Sequence, residues 1–223
     1  ISKYFRLDDN LPIIQSSLDW DLRLAQAMSK QHGLRLIRQD PWECLISFIC
    51  SSNSNISRIS GVMNRIAREF GNQVMLGPFV GFQFPDPTKM ASVGEAGYRA
   101  LRLGYRAQYV DKTSKILAET GRDLEELKSL PYLEAKAWLM ALPGVGAKVA
   151  DCVLLFSLDK LQAFPIDVWV RRAIEEWYIS GEHLSYAKLA EWAVEYFGPY
   201  AGYAQQYIFH HRRTGDFNGA VDT

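Results

Sequence analysis

An all-α fold is predicted for this chain of 223 residues by three observations. Apolar residues recur at helical spacing over most of its length. No alternating strand pairs stand out. The breaks between periodic stretches carry capping residues, Gly or Pro. The chain holds no internal repeat or low-complexity tract, and its length suits one large domain or two small ones sharing a core.

Taken in order, Trp42, Leu45, Ile46 and Ile49 form a first apolar stripe, and Ile56, Ile59, Val62, Met63, Ile66 and Phe70 a second. The polar SSNSN between them supplies capping side chains and reads as a tight link. GPFVGFQFPDPTK, residues 77–89, is the one long Gly/Pro-rich stretch and reads as a loop. Helical patterns then run over about 91–101, 107–119, 123–128 and 131–141. One further helix fits 147–158. Asp167 precedes VWVRRAIEEWYI as its N-cap, and two last helices near 185–197 and 200–213 are divided by FGPY.

Nearly half the residues are apolar, so the chain folds compactly rather than staying disordered. No apolar run approaches the ~18 residues of a membrane span. Cys44, Cys50 and Cys152 are too scattered for a disulfide framework and lack the paired spacing of a zinc or iron–sulfur site, which points to a reducing, intracellular setting. Net charge is zero, which excludes a polyanion binder working by bulk charge but not local phosphate contacts through backbone amides. The chain opens on Ile1, and ISKYFRLDDN reads as mid-protein sequence, so residues upstream are expected; no targeting signal is legible.

LPGVGAKVAD, residues 142–151, carries the chemistry. Pro143 ends one helix, and Gly144 and Gly146 allow dihedrals and close approaches closed to other residues. A helix–hairpin–helix of this kind presents unpaired N–H groups that can receive a phosphate without any basic side chain. It is equally the form of a plain helix–helix turn. Lys148 follows at the mouth of the second helix, where burial and the positive end of the dipole both disfavour an ammonium. A neutral amine there is a nucleophile able to form a Schiff base. The alternatives are a lysine reaching a phosphate or snorkelling to water. Asp151 and Cys152 lie on the same side of the helix, and Asp151 could pair with Lys148 and keep it charged.

Asp167 comes nineteen residues after Lys148, room for one helix and a return loop. A carboxylate there could stabilise positive charge on a sugar ring, or act only as a helix cap. The two roles are compatible, since a cap fixes the carboxylate in place.

LPGVGAKVADCVLLFSLDKLQAFPIDVW resembles the helix–hairpin–helix, Gly/Pro-Asp superfamily of DNA glycosylases. YFRLD near the start, RQDPWECLISFICSSNSNISRI at 38–59, LGYRAQYV at 103–110 and FGPYAGYAQQYIF at 197–209 extend the likeness to its 8-oxoguanine DNA glycosylase/AP lyase branch. The resemblance implies a two-lobed helical fold. One barrel-like lobe would span 40–141; the other would combine 1–39 with 142–223 and carry the helix–hairpin–helix (about 131–158) and the Asp loop. It implies Lys148 and Asp167 as catalytic residues and hairpin contacts to DNA phosphate at Gly144, Val145 and Gly146. No cofactor or metal is required, although a monovalent cation could sit on the hairpin carbonyls. The expected partner is double-stranded DNA containing oxidised guanine, with no membrane, and the protein is expected to be monomeric and located with DNA.

A base-excision enzyme must extrude a nucleotide, fill the gap and hold the orphaned partner. Tyr105 is a flat wedge and Arg106 a planar fork of donors; alone they also fit a core tyrosine and a solvated arginine. The resemblance assigns them the wedge and orphan-base roles and adds Arg58 and Asn53 as contacts to the partner cytosine. Tyr98, Arg99, Arg102, Tyr105, Arg106, Tyr109 and Lys112 form a basic, aromatic-interleaved string that could line the DNA face, or a solvated helix surface. Gln205 and Phe209, one helical turn apart, would read and stack on the flipped base, with Cys152 on its other face and Phe156 completing the pocket.

Three departures from the family pattern stand out. Ser54 follows Asn53 where a second asparagine is common. Trp169 replaces a phosphate-contacting His, and an indole has one donor and no charge. The family's mostly-β N-terminal domain, which in eukaryotic members supplies the carbonyl accepting the N7–H of oxoguanine, is expected to have no counterpart in this chain. Two competing readings are a superfamily glycosylase for another base and a non-catalytic DNA-binding hairpin. Lys148 and the absence of iron–sulfur cysteines oppose the monofunctional and endonuclease III-like branches.

Overall fold

The computed structural model describes residues 1–213. In chain order they form α1 (Leu11–Ser16), α2 (Leu22–Lys30), α3 (Pro41–Ser51) and α4 (Ile56–Phe70), then strands β1 (Gln73–Leu76) and β2 (Phe79–Phe82). Next come α5 (Pro87–Ala91), α6 (Gly94–Ala100), α7 (Arg106–Thr120), a 3-10 turn at Leu124–Lys128 and α8 (Tyr132–Met140). The last are α9 (Ala147–Ser157), α10 (Val168–Trp177), α11 (Tyr186–Phe197), a 3-10 turn at Gly198–Tyr200 and α12 (Ala201–Arg213). The mostly helical class expected from periodicity is the one observed. Local sequence sets many of the starts. Asp40, Asn55, Asp86, Asp167 and Ser185 each accept a hydrogen bond from the backbone N–H three residues on. Asn55 is the capping residue expected of SSNSN.

One expectation is corrected. Part of the Gly/Pro-rich stretch read as a loop is an antiparallel hairpin, with Gln73 opposite Phe82 and Leu76 opposite Phe79. Gly77, at φ +56°, makes the two-residue connection possible. QVML and FVGF are short and apolar on both faces, so they lack the alternation by which strands are recognised. The same stretch also ends in the short helix α5, capped by Asp86.

The chain divides into two compact units, and α9 contributes residues to both. In the unit of Gln39–Val153, α3 packs on α4 and α7, and α5 and α6 pack on α7. Leu45, Ile46, Ile66, Met90, Val110 and Leu139 are fully buried there, each contributing roughly 1.5–3 kcal/mol of apolar burial.

The other unit joins residues 1–38 to those from Leu154 onward. Its centre is α12, packed by α2, α10 and α11. A Cβ on Gly202 would lie 2.1 Å from Leu155 Cδ1 and 2.9 Å from the Leu161 carbonyl, so only glycine lets α12 approach the segment leading to Asp167. That segment is also tied to the start of the chain. Arg6, 1% exposed, places Nη2 2.7 Å from Asp159 Oδ1, and Arg38 Nε reaches the same oxygen at 2.7 Å. Tyr203 donates to Asp9 at 2.7 Å. The YFRLD block is therefore a structural brace for the loop before Asp167.

Candidate active site

The hairpin is built by α7, α8 and α9 within one unit. Gly144 sits at φ +80°, and a Cβ there would fall 2.7 Å from Tyr109 Cβ, so both its conformation and its packing require glycine. Thr113 Oγ1 donates to the Pro143 carbonyl at 3.0 Å and anchors the turn to α7. The Val145 N–H donates to the Leu142 carbonyl at 3.2 Å. Gly146 is exposed, and a Cβ on it would meet nothing within 4 Å. The first N–H groups of α9, which follow Gly146, lack intrahelical acceptors.

Lys148, the second residue of α9, is half-buried, with Nζ 5.1 Å from the centroid of the Phe48 ring. An ammonium at that distance is attracted by the ring face. Asp151, three residues on, is fully buried. Its Oδ2 lies 2.8 Å from Lys136 Nζ, and its Oδ1 accepts from the Tyr132 hydroxyl at 2.7 Å. Burial first, and then the charge of Asp151, push the Tyr132 phenol well above its usual range, so it stays a neutral donor. Both carboxylate oxygens are thus engaged by α8, and the pairing with Lys148 left open by helical spacing is replaced by one with Lys136. Lys136 and Tyr132 carry no motif of their own; only the packing of α8 on α9 reveals them.

The same unit assembles the wedge residues. Tyr105 is 43% exposed, and its hydroxyl donates to the Ser52 carbonyl at 3.2 Å. Arg106 is 6% exposed, its guanidinium 4.6 Å from the Tyr105 ring centroid, and Nη2 donates to the carbonyls of Ser52 and of Asn53, the latter at 3.0 Å. Asn53 adopts φ +48°, which turns its carbonyl to that fork. Arg58 and Arg106 line one small open pocket together with Arg102, Cys50 and Ser54. Burial pushes the Cys50 thiol up to about 12, partly opposed by Arg106, so it is a neutral wall. The basic string splits. Tyr98 is fully buried and donates to the Met90 carbonyl, so it cannot face DNA; Arg99 is exposed and paired with Glu95.

Asp167 belongs to the other unit. It is half-buried, with extended backbone, and its Oδ1 accepts from the Val170 N–H at 2.8 Å as the cap of α10. Among the described residues its second oxygen accepts no hydrogen bond and remains available for chemistry. Val168 and Trp169 are 61% and 44% exposed beside it. On α12, Gln205 is 3% exposed and its Oε1 accepts from Gln206 Nε2 at 2.7 Å, which excludes a surface role. Phe209, one turn on, is half-buried with Arg213 5.8 Å from its ring centroid. Phe156 is half-buried and Cys152 buried on α9. Among the described residues no three His, Cys, Asp or Glu side chains cluster as metal ligands, and no helix is long and apolar enough to cross a membrane.

Residues 46–199 match the family described as HhH-GPD superfamily base excision DNA repair protein. Residues 1–45 match the 8-oxoguanine DNA glycosylase N-terminal domain; here they form turns, α1, α2 and the start of α3, without a strand. The chain is 34% identical over 216 residues to a probable N-glycosylase/DNA lyase of Methanothermobacter thermautotrophicus, covering 87% of this chain and 69% of that protein. It is 39% identical over 202 residues to the N-glycosylase/DNA lyase OGG1 of Arabidopsis thaliana, covering 85% of this chain but only 54% of the relative. Among solved structures, the Clostridium acetobutylicum 8-oxoguanine glycosylase/lyase, bound to duplex DNA with cytosine opposite 8-oxoguanine, superposes with a TM-score of 0.91 at 34% identity. That alignment covers 97% of this chain and 74% of the other.

Proposed function

The chain belongs to the HhH-GPD superfamily of base excision DNA repair proteins, in its 8-oxoguanine DNA glycosylase branch, and we propose that it excises 8-oxoguanine opposite cytosine and then nicks the strand. The observation that carries the reading is Lys148 behind the glycine hairpin, with its neighbouring carboxylate Asp151 engaged by Lys136 and Tyr132. An amine that is not held in that ion pair is open to approach by an electrophilic carbon.

In the proposed reaction Lys148 Nζ, as the free amine, bonds to C1′ of the damaged nucleotide. The C1′–N9 bond breaks, and its electron pair leaves with the base, which takes up a proton. The uncapping oxygen of Asp167 stabilises the positive charge that develops on the sugar. Ring opening gives an imine between Lys148 and C1′. Loss of a C2′ proton then expels the 3′ phosphate, and the strand is cut 3′ to the lesion.

Gly144, Val145 and Gly146 would hold the backbone phosphate. Tyr105 would fill the gap while Asn53, Arg58 and Arg106 receive the orphaned cytosine. Gln205 and Phe209, with Cys152 and Phe156, would hold the flipped base. A monovalent cation belongs to the same reading. Its ligands would be carbonyls of the hairpin, each of which keeps a lone pair beyond the hydrogen bond it accepts. The place of action is a DNA-containing compartment.

Borohydride trapping on a duplex with one 8-oxoguanine opposite cytosine tests the proposal. Wild type should give a covalent adduct and a nick; Lys148→Gln should give neither. An adduct of undiminished yield in Lys148→Gln would remove Lys148 from the mechanism.

A further inference from the structure

The geometry points to Arg102 as a third DNA-binding arginine, one that binds a phosphodiester of the undamaged strand beside the orphaned base; this rests on the glycosylase reading above. Arg102 lines the same pocket as Arg58 and Arg106, and no carboxylate contributes to its wall. Among the described residues, neither the Arg58 nor the Arg102 side chain makes an ion pair or hydrogen bond. Arg106 is 6% exposed, yet its buried Nε has no partner. A chain of zero net charge thus gathers three guanidiniums on a pocket wall that holds no carboxylate. Their summed positive charge attracts an anionic acceptor to the pocket.

Arg102 stands at φ +66° as the left-handed residue that closes α6, its N–H donating to the Arg99 carbonyl and that of Leu103 to the Tyr98 carbonyl. That helix end is what sets the arginine at the mouth of the pocket, one turn before Arg106. The division of labour follows from burial. Arg106 is the enclosed fork, suited to the fixed acceptors of a base edge. Arg102 is exposed at the rim, where a planar donor-only cation meets the strand's phosphates. Contacts to phosphate set register and add salt-dependent affinity without reading sequence.

The test is equilibrium binding to duplexes carrying a non-cleavable abasic analogue opposite C, T, A or G, measured over a range of salt. Arg102→Gly suits the φ of the site, so it should fold and melt no lower than wild type. It should bind about 5- to 10-fold more weakly at ~0.1 M salt, by the same factor for all four partner bases, with a log–log salt slope smaller by about 1. Arg102→Lys, which keeps the charge, should recover most of the slope. Unchanged affinity and slope would overturn the proposal. A loss confined to the cytosine duplex would overturn it too, since Arg102 would then read the base. Failure of the wild type to release 8-oxoguanine would instead defeat the glycosylase reading, and the slope comparison on the same duplexes would still decide the role of Arg102.

Discussion

The Asp151 carboxylate is paired with Lys136, Oδ2 to Nζ at 2.8 Å, although Lys148 lies only three residues before it on the same helix. Asp151 is fully buried and Lys136 is 15% exposed, so the pair is shielded from solvent screening. The pairing gives the buried carboxylate its counter-charge from α8 and leaves the proposed nucleophile, one turn earlier on α9, outside that ion pair.

Lys136→Met should therefore strand a buried carboxylate and cost about 3 kcal/mol, whereas Asp151→Asn should cost about 1 kcal/mol because it removes the charge that needs a partner. Urea unfolding of the two variants gives the ranking, and the reverse order would refute the account. Lys136→Met should also trap less adduct, because the freed carboxylate turns to Lys148; the double variant with Asp151→Asn should regain it.

Asp167 is expected to separate stability from turnover. Asparagine caps as well as aspartate, so Asp167→Asn should melt within about 0.5 kcal/mol of wild type and still bind lesion DNA. Its turnover should fall by at least ~100-fold, as the charge facing the sugar is gone. Asp167→Ala should lose about 1 kcal/mol through the missing bond to the Val170 N–H. Loss of DNA binding in the Asn variant would leave Asp167 a structural cap only.

The two hairpin glycines should fail in different ways. Gly144→Ala meets Tyr109 Cβ at 2.7 Å and holds φ +80°, so it should destabilise the fold by roughly 2 kcal/mol or more. Gly146→Ala has open space and should fold normally, within about 0.5 kcal/mol. Its methyl group stands where a phosphate would approach, so its affinity for duplex DNA should drop. Thermal melts and binding isotherms on both variants check this, and normal DNA affinity in Gly146→Ala would count against phosphate contact at that amide.

Cys50 should make the protein sensitive to alkali. The thiol ionises near its ordinary 9.0 when unfolded, but burial raises the folded value to about 12. Between these values the native state holds the extra proton, so stability falls as pH rises through the window, by at most ~1.4 kcal/mol per pH unit. The Cys50→Ala variant should lack this component, read as the difference between two denaturation series from pH 8 to 11. Parallel curves would show that Cys50 does not titrate this way.

Much of the fold was legible because helices obey local rules. The stripes of α3 and α4, the Asn55 and Asp167 caps and the breaks at LPGVG and FGPY depend on residues within about four positions of one another. The hairpin at Gln73–Phe82 escaped because its strands are four residues long and apolar on both faces. Tyr98 was placed with the basic string by spacing alone; only its contact with Met90 shows that it is core. Arg102 stood in that string among other solvated cations, and the pocket it shares with Arg58 and Arg106 singles it out.

The order of residues by itself determined the glycine hairpin, a lysine in the first turn of the following helix and an aspartate capping the helix after. Each follows from backbone chemistry over a few consecutive residues. Tertiary structure decided which cation Asp151 takes, that Arg106 is enclosed while Arg102 is not, and that Arg6 braces the loop before Asp167. Those outcomes depend on groups far apart in sequence, whose meeting is set by the packing of helices and by the cost of burying a charge without a partner.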